Sequence, residues 1–142
     1  VRFPILGRWE DAETGEVLAK RLYVAETFWQ RLRGLQFAQP LDPGCGLLLR
    51  NCGSVHTMWM RFPIDLFFLD EDWSVLEVRS CVKPWRVVIP KAKRVSHVIE
   101  VTSGQSLEAF KGRRTKVAAC DDFPIVASGK RGKEVRDAAA AG

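Results

Sequence analysis

Long hydrophobic runs are missing from these 142 residues: no apolar run is longer than the four residues of 66–69, far short of the roughly 18 that a membrane-spanning helix requires. No membrane span is therefore expected. A Cys-x-x-Cys pair is missing too. A chain that can bury roughly 68–70% of its unfolded surface does not depend on disulfides, so Cys45, Cys52, Cys81 and Cys120 are expected to be reduced. The first residues carry no basic, apolar and small-residue leader, which predicts cytoplasmic residence, with export as the alternative if a leader has been removed. Histidine and methionine are scarce, at two each, so imidazole or thioether chemistry can come only from His56, His97, Met58 and Met60. There is no glycine-rich phosphate loop, nucleophile elbow or internal repeat.

Charge of one sign is also in short supply. Lys and Arg number 22 against 17 Asp and Glu, and two of the five net positive charges belong to the stretch from Ser128 onward. The remaining excess forms no basic stripe in the sequence, so nucleic-acid binding is not expected. The composition, 46% hydrophobic and 27% charged, is that of a soluble globular protein. It predicts one domain over residues 1–127 and a charged, Ala-rich, disordered tail over 128–142.

Periodicity supplies the elements. Segments 1–6 and 16–24 flank a Thr14-Gly15 turn and read as a hairpin. Thr27 and Gln30 form a capping box ahead of a short helix ended by Gly34. Segment 46–50 reads as a buried strand, and 55–61 as extended up to Pro63. In 65–69, Leu66 and Phe68 face one side while Phe67 and Leu69 face the other, which predicts a strand covered on both faces. Asp70-Glu71-Asp72 is a tight turn into a strand over 74–82, with Leu76, Val78 and Val82 inward and Glu77 and Arg79 outward. Segment 85–89, bracketed by Pro84 and Pro90, reads as a loop or edge strand. A strand over 95–101, a second short helix over 103–110 and a last strand over 115–119 complete the chain.

The densest chemistry is Cys52, His56, Met58 and Met60, the ligand types a soft ion such as Cu(I) prefers. On an extended strand His56 and Met60 stand about 13 Å apart, so a site would be Cys52, His56 and Met58. The competing reading puts Met58 and Met60 in the core and leaves His56 hydrogen-bonded. Cys52 and His56 could form a thiolate pair, but no third, orienting group is evident. Asp65, between Ile64 and Leu66, needs a partner, with Arg61 or Arg86 as the candidate. His97 alternates with apolar residues and reads as a satisfied core histidine. Trp59 is assigned to the core, and Trp85, between Pro84 and Arg86, to the surface.

The run from His56 through Trp59-Met60-Arg61-Phe62-Pro63-Ile64-Asp65 to Asp70 resembles the prokaryotic domain-of-unknown-function 192 family. Its hallmark is an aromatic-Met pair, a basic residue, Pro-x-Asp and an apolar strand ending in Asp. The likeness extends over residues 18–119, through Arg31-Leu32-Arg33-Gly34-Leu35, the Gly46 strand, Pro84-Trp85-Arg86 and Val98-Ile99-Glu100-Val101. Trp73 departs from the family, standing where a Gly is usual, as does Arg113, standing where an Asp is usual. The resemblance implies a strand-rich α+β domain with a barrel-like, mainly antiparallel sheet and two short helices, and supplies no reaction.

The expected function is a small binding or accessory module, not an enzyme, with no catalytic residue. Arg33, Trp59, Arg61, Asp65, Trp85 and Arg86 would hold a small anionic or aromatic ligand or a protein segment. No cofactor is expected in that reading. The alternatives are a soft-metal protein using Cys52, His56 and Met58, and a hydrolase-like enzyme using Asp65 or the Cys52–His56 pair.

Overall fold

The computed structural model describes residues 4–25, 42, 44–103 and 110–119. The hairpin forms as its turn chemistry dictates. Strands β1 (Ile5–Asp11) and β2 (Val17–Ala25) pair antiparallel, and Asp11 Oδ1 accepts the N–H groups of Glu13 and Thr14 at 2.8 and 3.0 Å. Gly15, at φ +76°, takes the left-handed position that a side chain would resist. Among the described residues the first strand begins at Ile5, and residues 1–3 of the expected segment lie outside them.

β3 (Cys45–Arg50) lies parallel to β2, and β5 (Ile64–Leu69), β6 (Val75–Val82), β8 (His97–Thr102) and β9 (Thr115–Ala118) complete a seven-stranded sheet. Its order is β6-β5-β8-β3-β2-β1-β9, with every pair but β2–β3 antiparallel. β4 (Val55–His56) and β7 (Val87–Val88) form a separate two-stranded ribbon.

The central strands are buried on both faces, as the two-sided alternation of β5 requires. Phe67, Leu69, Leu48 and Ile99 join Trp9, Leu22, Trp73 and Val117 in one cluster, where the Trp9 and Phe67 rings meet edge to face at 5.2 Å. Leu66, Phe68, Leu47 and Val98 join Val55, Met60, Phe62 and Val88 in the other. The ribbon and the turn after it therefore lid the second face. Each of these large side chains contributes roughly 1.5–3 kcal/mol by leaving water.

Two expectations about the class are corrected. The sheet is not a closed barrel: its edge strands β6 and β9 do not pair with each other, and only the segments leading into them are joined, through an isolated Ser74–Arg114 bridge and a few backbone hydrogen bonds beside it. β6 pairs irregularly with β5 between Ile64 and Leu66 and between Phe68 and Leu69. Such bulges bend a strand away from a flat edge, and β9, four residues long, is too short to follow it. The α+β class is corrected as well: among the described residues no α-helix occurs, and the regular structure is β-sheet, antiparallel in every pairing but β2–β3. The two helix expectations rested on segments 27–34 and 103–110; the first, and residues 104–109 of the second, lie outside the described residues, as do the tail 128–142 and Cys120.

Segment 55–61 is a further correction. It is extended only over Val55–His56 and then turns at Met58 and Trp59, so His56, Met58 and Met60 do not share the face of one strand. A contact distant in sequence causes the turn.

Candidate functional site

That contact is Thr57, fully buried and polar. Its hydroxyl donates to the Lys83 carbonyl at 2.7 Å and accepts the Arg86 N–H at 2.8 Å. Its own N–H donates to the Arg86 carbonyl, and its carbonyl accepts the N–H groups of Trp85 at 2.9 Å and Met60 at 3.2 Å. One residue thus pins the 57–60 turn to the 83–86 loop.

The pinning puts two tryptophans outside. Trp59 and Trp85 both have left-handed backbones, at φ +63° and +65°, a conformation costing roughly 1–2 kcal/mol for a residue with a Cβ. Their side chains are 53% and 51% exposed, and their rings meet edge to face at 4.7 Å. Trp85 is on the surface, as expected. Trp59 is not in the core: Met60 takes the buried position instead. Val87 and Ile89 alternate outward across buried Val88 and are 63% and 71% exposed. They extend the apolar surface along the ribbon, where His56 pairs with Val87.

Arg61 and Arg86 border this surface and are exposed, as is Lys83. Asp65 does not join them. It is buried at 3% exposure, and its Oδ1 accepts the N–H of Cys81 at 2.7 Å. Cys81 sits at φ +52° in the irregular stretch of β6. The carboxylate therefore satisfies a bulge, and the expected ion pair with Arg61 or Arg86 does not form. Arg33 lies outside the described residues.

Of the soft-metal set, the Cys52 thiol donates to the Ser54 carbonyl at 3.0 Å, His56 is half-buried in the ribbon and Met58 half-buried in the turn. Among the described residues no group of three or more His, Cys, Asp or Glu is placed to hold a metal ion.

His97 is satisfied as expected, its Nδ1 accepting the Asn51 N–H at 3.3 Å and its ring lying 5.5 Å from that of Trp73. Burial holds its pKa down, and Arg50 pushes it the same way against the opposing charge of Asp70. Arg50 Nε and Nη2 are buried with no acceptor among the described residues. Trp73 turns at φ +66°, which explains why a Gly suits that position. Asp70 Oδ1 caps the same turn by accepting the N–H groups of Asp72 and Ser74.

The residue that sequence reasoning missed is Thr57. Its only local sign is a polar side chain between half-buried neighbours, and its partners lie 26 and 29 positions away.

The described residues thus define an open, mainly antiparallel β-sheet domain that displays a tryptophan pair beside exposed cations. The chain belongs to the DUF192 family, described as "Uncharacterized ACR", whose profile matches residues 10–113. It is 37% identical over 84 residues to the UPF0127 protein PH1112 of Pyrococcus horikoshii, covering 57% of this chain and 71% of that one. It is 31% identical over 94 residues to a UPF0127 protein of Thermococcus sibiricus, covering 63% and 60%. Among solved structures it is similar to a proposed transcription regulator from Sinorhizobium meliloti 1021, with a TM-score of 0.65, 19% identity and coverage of 78% and 90%. A protein of unknown function from Novosphingobium aromaticivorans matches with a TM-score of 0.64, 15% identity and coverage of 77% and 83%. At such identities the likeness shows the fold alone.

Proposed function

We propose that this chain is a binding module whose recognition surface is the Trp59–Trp85 pair, with Arg61 and Arg86 at its rim. The observation that carries the reading is that both tryptophans are held half-exposed on left-handed backbone by a buried threonine. Exposing two such rings forgoes the burial that would favour folding, and the strained turns add to that cost. Large aromatics and arginine are the residues that carry most binding energy at interfaces. The reading assigns no reaction, and the ligand is a protein segment or a small anionic or aromatic molecule.

The test compares the wild type with the W59A/W85A variant against a panel of defined peptides and small organic anions, with binding followed by calorimetry. Circular dichroism and a thermal melt establish that the variant folds. Ligands held by the wild type and lost by the variant support the reading. Ligands held equally by both would overturn it.

A further inference from the structure

The structure points to a partner of another kind for the same face: we infer that it docks on an anionic lipid bilayer, an inference that rests on the face being a binding surface at all. Two properties coincide there. The first is apolar protrusion. Trp59, Trp85, Val87 and Ile89 are all more than half exposed, and they stand on a turn, a loop and a two-stranded ribbon.

The second property is a local excess of positive charge. No Asp or Glu occurs in residues 51–64 or 79–99, the two stretches that build the face. Arg61, Lys83 and Arg86 are exposed and form no ion pair among the described residues. Exposed Lys91 and Lys93 follow on the next loop, which Glu77 fastens by accepting the N–H groups of Lys91 and Ala92. The small net charge of the chain conceals this excess, because its acids lie outside these two stretches of sequence, although Glu77 and the Asp70–Asp72 turn approach the 91–96 part of the second. Asp70, Glu71 and Asp72 line a cleft of about 450 Å³ with Arg94, Val95 and Ser96.

Apolar tips ringed by cations suit a bilayer of anionic lipid. Tryptophan prefers the headgroup boundary, aliphatic tips enter the acyl region, and lysine and arginine meet the negative surface. Single-stranded nucleic acid fits less well. Bases stack on open ring faces, whereas here the rings are inclined at 62° with the edge of one against the other, and Val87 and Ile89 offer a base nothing. An acidic peptide would find its charge partners but would leave the exposed aliphatic side chains of Val87 and Ile89 unused.

The experiment uses the full chain and vesicles of phosphatidylglycerol and phosphatidylcholine, or of phosphatidylcholine alone. Co-sedimentation, tryptophan emission and quenching by acyl-brominated lipid are read for the wild type, W59A/W85A and K83E/R86E, all checked for folding. The expected result is binding at least tenfold tighter to the anionic vesicles, weakened by salt, with blue-shifted and quenched emission. W59A/W85A should lose the quenching and K83E/R86E the preference for anionic lipid. Absence of vesicle binding, or binding unchanged in both variants, overturns the inference. An acidic peptide or oligothymidylate held by the wild type and lost by W59A/W85A, with no vesicle binding, would overturn it while leaving the binding-module reading intact. If no probe separates the wild type from the variants, both readings fall.

Discussion

Thr57 does with one hydroxyl what two loops cannot do for themselves. The N–H of Arg86 and the carbonyl of Lys83 point into the protein, where water does not reach the threonine, and its Oγ1 serves both. Valine has nearly the same shape and neither function. T57V is therefore expected to leave buried polar groups unmatched, at a cost of about 1–3 kcal/mol, measurable by urea denaturation. It should also loosen the Trp59–Trp85 contact, seen as a weaker exciton signal from the paired indoles in circular dichroism. A variant as stable as the wild type with that signal intact would show that the loops hold each other without the threonine. The same residue marks where sequence reading stopped. His56, Met58 and Met60 alternate as a strand would, and a large aromatic beside them reads as core. The hydrogen bonds that break the alternation come from residues 83 and 86, and nothing local announces them.

Elements built on local alternation were legible. β5 reads as a strand buried on both faces because its two sets of apolar residues alternate without a polar interruption after Asp65, and they divide between the two clusters accordingly. β6 was legible only in part. Val78 packs on one cluster and Val82 on the other, although an even spacing would place them together, because the bulge near Cys81 shifts the phase. Asp65 is the residue that fixes this bulge, and the expectation of an arginine partner failed because a backbone N–H can satisfy a buried carboxylate as well as a cation can. D65A is expected to lose about 1–3 kcal/mol by leaving the Cys81 N–H without an acceptor. D65N, whose amide oxygen can still accept it, should retain most of that stability. Equal losses in the two variants, read from denaturant midpoints, would instead show that the negative charge itself is needed.

At the scale of the molecule, an open sheet has to secure its ends, and the family's departure at Arg113 bears on this. Besides the Ser74–Arg114 bridge, Val75 donates its N–H to the Arg113 carbonyl and Thr115 donates to the Trp73 carbonyl. Arg113 in turn reaches Asp11 Oδ2 at 3.2 Å, and its guanidinium lies 4.9 Å from the Phe110 ring centroid. An acid there would face Asp11; the arginine instead ties the β1–β2 hairpin to the segment entering β9.

Asp11 is the titratable part of that tie. The Thr14 N–H lowers its pKa below the ordinary 3.8 and outweighs the opposing effect of burial, with the Glu13 N–H and Arg113 adding to the lowering. Because the folded protein holds this proton less tightly than the unfolded chain, the contribution is fully present above pH 3.8. It is lost as the pH falls through the lowered value, where the unfolded state binds more protons. D11N keeps an oxygen for the two N–H groups but has no charge for Arg113. The wild type should therefore be the more stable at neutral pH, with the gap closing below pH 3.8 in thermal melts of the two proteins. A gap independent of pH would mean that Asp11 holds the sheet ends by shape alone.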